Sequence, residues 1–161
     1  MKIREYNLSD KEACIRIFDS NCPKFFDIAE RNPFINWLDH QGDKNIKYES
    51  PAYKNVETDG YYVIEAPDSS IIGCGGFYIL SNTKEARLAW GMIHADYHKQ
   101  GLGTALYNYR KEVIHKYWPQ HTITLGTSQH TYSFYKKMGL NVTETRKAGY
   151  GADLDRYDME L

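Results

Sequence analysis

The sequence predicts a mixed α/β fold, with a mostly antiparallel central sheet, one βαβ crossover and flanking helices. Three observations carry this. Segments with strand character follow one another directly in mid-chain, "YYVIEA", "SIIGCGGFYIL" and "ARLAWGMIH", joined by the short polar turns "APDSS" and "SNTKE". An amphipathic stretch from Gly101 to about Lys116 then separates the third segment from a short apolar strand, "TITLGT", which requires a right-handed crossover. The 161 residues suit a single domain over 1–161 with a sizeable core.

"KIREY", Lys2 to Tyr6, alternates as a strand does. In "SDKE", Ser9 is placed to cap a helix from Asp10 to about Ser20, with Glu12 completing a capping box, and Pro23 ends it. A second helical zone runs from about Lys24 to Gln41, broken near Asn32-Pro33 because the residue before proline avoids the α region. "GDKNIKYESPAYKNVETDG" is polar and unpatterned and reads as a loop. After the three mid-chain strands, the helix from Gly101 carries Leu102, Ala105, Leu106, Tyr109 and Val113 on one face, and Pro119 closes it. "TYSFYKKM" is a short helix ended by Gly139 in a left-handed cap. "LNVTETR" and "DLDRYDMEL" complete the sheet.

Composition excludes several classes. Net charge is −1 and the basic residues are scattered, so a nucleic-acid partner is not expected. No apolar run approaches the roughly 20 residues that span a bilayer, and "MKIREYNLSD" lacks a signal-peptide apolar region, so neither membrane nor export is expected. Cys14, Cys22 and Cys74 are irregularly spaced and read as reduced thiols of a cytoplasmic protein, with no metal site. Fourteen tyrosines point to a pocket or to a subunit interface, such as that of a homodimer, as well as to core.

Gly101 and Gly103 in "YHKQGLGTALY" stand at a helix mouth, where unpaired backbone N–H groups and the helix dipole favour an anion. Glycine lets a phosphate approach that backbone. A dinucleotide fingerprint would place a third glycine where Leu106 stands, and an acid at the end of "TITLGT". A P-loop would place lysine between Gly103 and Thr104. Both patterns fail.

"MIHADYHKQGLGTALY" instead resembles the acetyl-CoA motif of the GNAT superfamily of N-acetyltransferases: a strand, an Arg/Gln-x-x-Gly-x-Gly/Ala turn and a long helix. Downstream, "LGTSQHTYSFYKKMGL" is similar to the family's strand, loop and short helix, with Phe134, Tyr135, Lys137, Gly139 and Leu140 on the F-Y-x-K-x-G-F pattern. The resemblance implies the GNAT acyltransferase fold over nearly the whole chain. Its specific part runs from about Arg87 to Leu140. It also implies acetyl-CoA as cosubstrate, held by Met92, Ile93, His98, Lys99, Gln100, Gly101, Leu102, Gly103, Thr104 and Ser128. His98 departs from the usual Arg or Gln, Lys99 from a common glycine, and Ser128 from a common asparagine.

Acetyl transfer needs a neutral amine, a polarised thioester carbonyl and a protonated leaving thiolate. In the family resembled, a bulge frees N–H groups in the strand before the phosphate turn, and Gly91 suits that bulge. Tyr135 matches the family's general acid, and a phenol of pKa about 10 can supply that proton. The base stays open between Glu85, Glu65, His130 and relayed water; the family's strand glutamate falls at or near Arg87. The first two helices and the turn "GYGAD", Gly149 to Asp153, would wall a small-molecule or peptide amine acceptor. They supply Phe25, Phe26, Asp27, Glu30, Phe34 and Trp37, which serve equally as helix-pair core. Direct transfer is expected, since no cysteine falls in either motif. The alternative is an acyl-CoA-binding sensor of the same fold without turnover.

Overall fold

The computed structural model describes residues 1–161. Its strands are β1 (Lys2–Glu5), β2 (Val56–Glu65), β3 (Ile71–Leu80), β4 (Glu85–Ile93), β5 (Thr122–Thr127), β6 (Asn141–Gly151) and β7 (Leu154–Glu160). Its α-helices are α1 (Lys11–Asn21), α2 (Arg31–Gly42), α3 (Leu102–Tyr117) and α4 (Tyr132–Lys137). One seven-stranded sheet runs β1-β2-β3-β4-β5-β7-β6. Every neighbouring pair is antiparallel except β4–β5, joined through α3. The mixed sheet with a crossover is thus as the sequence predicts.

Alternation along β2 builds two cores. Tyr61 and Val63 face α1 and α2, where they meet Ile17, Phe18, Phe34, Trp37 and Leu38. Tyr62 faces the other side with Phe77, Ile79 and Leu88, beneath Tyr107 and Ile114 of α3. The crossover positions the site. β4 and β5 pair only from Glu85↔Thr122 to Arg87↔Thr124. Beyond Arg87 they part and leave a wedge open toward the end of β4.

Several boundaries differ from expectation. Asn7, not Ser9, caps the first helical turn: its Oδ1 accepts from the Ser9 N–H, and Asp10, not Glu12, completes the box. The extended backbone at Asn7 selects it over Ser9, which is already helical. Asn32-Pro33 does not break the second zone. Pro33 lies in the first turn of α2, where its missing N–H has no helical partner to lose. β2 begins at Val56 inside the polar run read as loop, because pairing Val56 with Leu80 and Asp59 with Tyr78 gives that backbone a partner. β6 runs on to Gly151, which narrows the expected Gly149–Asp153 turn to Ala152-Asp153. The buried stripe of α3 is Leu106, Tyr107, Arg110 and Ile114, one position around from the expected face. A charged residue at its centre disguised that stripe.

Candidate active site

The expected bulge is present. Register passes from Gly76↔Ala89 to Cys74↔Met92, so Gly75 alone faces both Trp90 and Gly91. Trp90, not the glycine, takes the left-handed backbone, with φ +48°. The Tyr61 hydroxyl donates to the freed Trp90 carbonyl at 2.8 Å. From α3, Arg110 Nη1 donates to the Gly76 carbonyl at 3.3 Å, and its Nε donates to Leu106 O at 3.3 Å. Arg110 is only 2% exposed, and both of these bonds end on backbone. Gly91 is glycine for this neighbour: a Cβ there would sit 3.0 Å from Arg110 Nη1.

β4 leads into the glycine-containing turn before α3. His94 caps a 3-10 turn over Ala95–Tyr97, and His98 leaves it extended. His98 Nε2 donates to the Ile93 carbonyl at 2.9 Å, and its ring meets Phe25 edge-on at 5.3 Å. Lys99 has φ +61°, the conformation a glycine adopts without strain, at the position where the resembled motif often has glycine. Gly101 caps α3 with φ +80°, with no side-chain cap and nothing within 4 Å of where a Cβ would stand. Space is therefore open beside Gly101 at the N-terminus of α3.

Bulge, turn and α4 open into one cavity of about 770 Å³. Of the expected cosubstrate residues, Met92, Ile93, His98, Lys99, Gly101, Leu102, Gly103, Thr104 and Ser128 line it, as does Tyr135. Gln100 does not: it is exposed and its amide donates to Asp96 O at 3.4 Å. The Ser128 hydroxyl accepts from the His130 N–H at 3.3 Å and so braces the loop before α4.

The base candidates separate. His130 lines the cavity, whereas Glu65 and Glu85 lie off it. Glu65 accepts from Arg4 Nε at 2.6 Å, and Glu85 accepts from the Thr124 hydroxyl at 3.2 Å. Glu30 is on the wall, and burial pushes its carboxyl up to about 7. Its Oε2 accepts from the Asp27 N–H at 2.9 Å in a capping box, which fixes its direction. The sequence places Glu30 on the acceptor side but gives no sign of this raised carboxyl; the box Asp27-x-x-Glu30 is the only local signal. The cysteines stay off the cavity. Cys14 and Cys74 are fully buried, and burial pushes the Cys22 thiol up to about 11.

A family model for the GNAT acetyltransferase domain matches residues 57–140. The chain belongs to the GNAT family of acetyltransferases. The matched span contains the bulge, the turn at Gly101 and Gly103, and Tyr135. Among solved structures, a GNAT-family protein from Desulfovibrio desulfuricans superposes with a TM-score of 0.73 at 21% identity, covering 99% of this chain and 97% of its own. An aminoglycoside 6'-N-acetyltransferase solved with coenzyme A gives 0.69 at 16%, covering 100% and 96%. A variant of the spermidine N-acetyltransferase of Vibrio cholerae gives 0.71 at 13%, covering 100% and 94%. These likenesses establish the fold. No curated protein matches the chain.

Proposed function

We propose that the chain is an acetyl-CoA-dependent N-acetyltransferase that moves an acetyl group directly to a primary amine of a small molecule or peptide. The observation that carries this reading is the Trp90–Gly91 bulge opening into the cavity that also holds the α3 N-terminus and Tyr135. The open first turn of α3 suits a pyrophosphate. N–H groups around Gly91 and Met92 suit the pantetheine arm and the thioester oxygen, and Arg110 behind Gly91 adds positive potential where that oxygen gains charge.

Glu30 takes a proton from the acceptor ammonium. The freed nitrogen attacks the thioester carbon, the C–S bond breaks as the C–N bond forms, Tyr135 gives its proton to the thiolate, the nitrogen's surplus proton passes to the tyrosinate, and Glu30 releases its own to solvent. With a carboxyl near 7, Glu30 is balanced between taking that proton and releasing it. His98, tied to Ile93, keeps the phosphate turn closed against the end of β4.

The test is a panel of polyamines, amino acids, aminoglycosides and N-terminal peptides with acetyl-CoA, read by release of CoA thiol and by the mass of the acetylated product. Release matched one-for-one by an acetylated amine supports the reading. Tight CoA binding with no release for any amine favours the sensor instead.

A further inference from the structure

We infer that the acceptor is an amine that also carries a carboxylate, and that Arg87 and Arg156 hold this carboxylate at the end of the cavity away from the phosphate turn. The inference rests on the transfer proposed above and names its substrate class.

Arg87 on β4, Arg156 on β7 and Tyr150 on β6 all line the cavity and converge over Gly126 of β5. A Cβ on Gly126 would stand 2.5 Å from the Tyr150 hydroxyl, 3.2 Å from Arg87 Nη2 and 3.4 Å from Arg156 Nε. Three donor groups thus meet over bare backbone. Their only acid partner is Asp158, and one oxygen serves both arginines: Oδ1 accepts from Arg87 Nη2 at 3.3 Å and from Arg156 Nε at 3.0 Å. One carboxylate faces two guanidinium groups, which leaves one positive charge uncompensated and several N–H donors free. Both arginines are half-buried, with side chains 19% and 30% exposed, so water only partly satisfies them. Burial pushes the Tyr150 phenol up to about 12, so it stays a donor at neutral pH. Partly desolvated donors of this kind favour an oxyanion.

The charge of the whole wall agrees. Arg87, Lys99, Arg110 and Arg156 line the cavity, against Glu30 as its one carboxylate. Lys99 lies in the turn before α3 and Arg110 behind Gly91, so on the acceptor side a polyamine would meet one acid and two arginines. An amine bearing a carboxylate finds a partner for each end: Glu30 among Phe26, Trp90 and Tyr48 for the nitrogen, and the arginine pair for the acid. Arg87 precedes Gly91 by four residues, about 13 Å of strand, so the carboxylate lies several bonds from the reacting nitrogen.

Matched pairs test this: lysine against cadaverine, γ-aminobutyrate against butylamine, and glycylglycine against its amide, with spermidine and an aminoalkylphosphonate beside them. The readout is kcat/KM from thiol release. The carboxylate member should lead by about tenfold or more, the worth of one charge-assisted bond. Arg156→Gln should bring that ratio toward one while CoA titration still shows a folded site; Arg87→Gln serves if the first variant does not fold. Equal or better turnover of the members without a carboxylate, or of spermidine, overturns the inference. So does an undiminished ratio in both variants, and preference for the phosphonate overturns the carboxylate assignment. Calorimetric titration of the CoA-loaded protein with the same pairs reads the anion site without turnover. A carboxylate preference in binding with no thiol release would sink the transfer reading and leave the anion site standing.

Discussion

The Tyr61 hydroxyl donates to the Trp90 carbonyl at 2.8 Å, from the next strand but one. A bulge that frees N–H groups also frees a carbonyl, and one left buried without a donor is costly. Tyr61 supplies the donor from the α1–α2 side, and Arg110 braces Gly76 from the α3 side. Burial raises the Tyr61 phenol well above its ordinary range, so it remains a donor at any working pH.

Tyr61→Phe keeps the ring and orphans the Trp90 carbonyl. Stability should fall by about 1–3 kcal/mol, a drop of several degrees in Tm for a chain of this size. Thermal denaturation at neutral pH reads it. An unchanged Tm would mean that the bulge is held by other contacts.

Gly101 and Gly103 should be intolerant for different reasons. Valine at Gly101 is strained at φ +80° and fills the open space in front of α3. Valine at Gly103 must share space with the Phe134 ring, already 3.4 Å from a Cβ there. Each variant should weaken CoA by more than about tenfold in calorimetric titration. Folded variants with native affinity would remove the phosphate site from this turn.

Glu30 should shape the acid limb of the rate profile. With the folded carboxyl near 7 against an ordinary 4.5, kcat/KM should rise with pH to a plateau above about 7. Glu30→Gln should abolish that limb and lower the plateau by roughly a hundredfold or more. Stability should move the other way. The folded state holds this proton more tightly than the unfolded chain, so Glu30's contribution is fully present below 4.5 and lost as pH rises through 7. Glu30→Gln should therefore stabilise by on the order of 1–2 kcal/mol above pH 7 and change little near pH 4. Denaturant melts at both values check the sign.

Arg110 is a buried cation whose hydrogen bonds end on carbonyls, a costly arrangement for folding. Arg110→Met fills similar volume without charge. It should change Tm little, because removing the buried charge offsets the lost donor to Gly76 O, while kcat falls by about tenfold as positive potential behind Gly91 is lost. Full activity in a stable variant would remove Arg110 from the transfer step.

Much of this was legible in the chain because it is local. Apolar runs placed the strands, and Gly101-x-Gly103 with Phe134-Tyr135 marked residues that line one cavity. Gly91 marked the bulge, although the left-handed residue is its neighbour Trp90 and the glycine makes room for Arg110. What stayed hidden depends on tertiary contact. Arg110 reads as an exposed helix charge until Gly75 and Gly91 are folded against it. Glu65 and Glu85 are as apt for a base as any acid in the sequence, and only folding sets them off the cavity, against Arg4 and Thr124. Arg87 meets Asp158 across 71 residues of sequence, and Glu30 owes its raised carboxyl to burial that no local pattern encodes.

The central claim is that this cavity performs transfer with Tyr135 as the acid, and one substitution tests it most directly. Tyr135→Phe removes a hydroxyl and keeps the ring that packs against Tyr107 and Phe134. CoA affinity by calorimetry should therefore hold. With the preferred amine, kcat and kcat/KM should fall together by roughly a hundredfold, because the proton is needed only as the C–S bond breaks. Full kcat in a folded Tyr135→Phe protein would contradict the account.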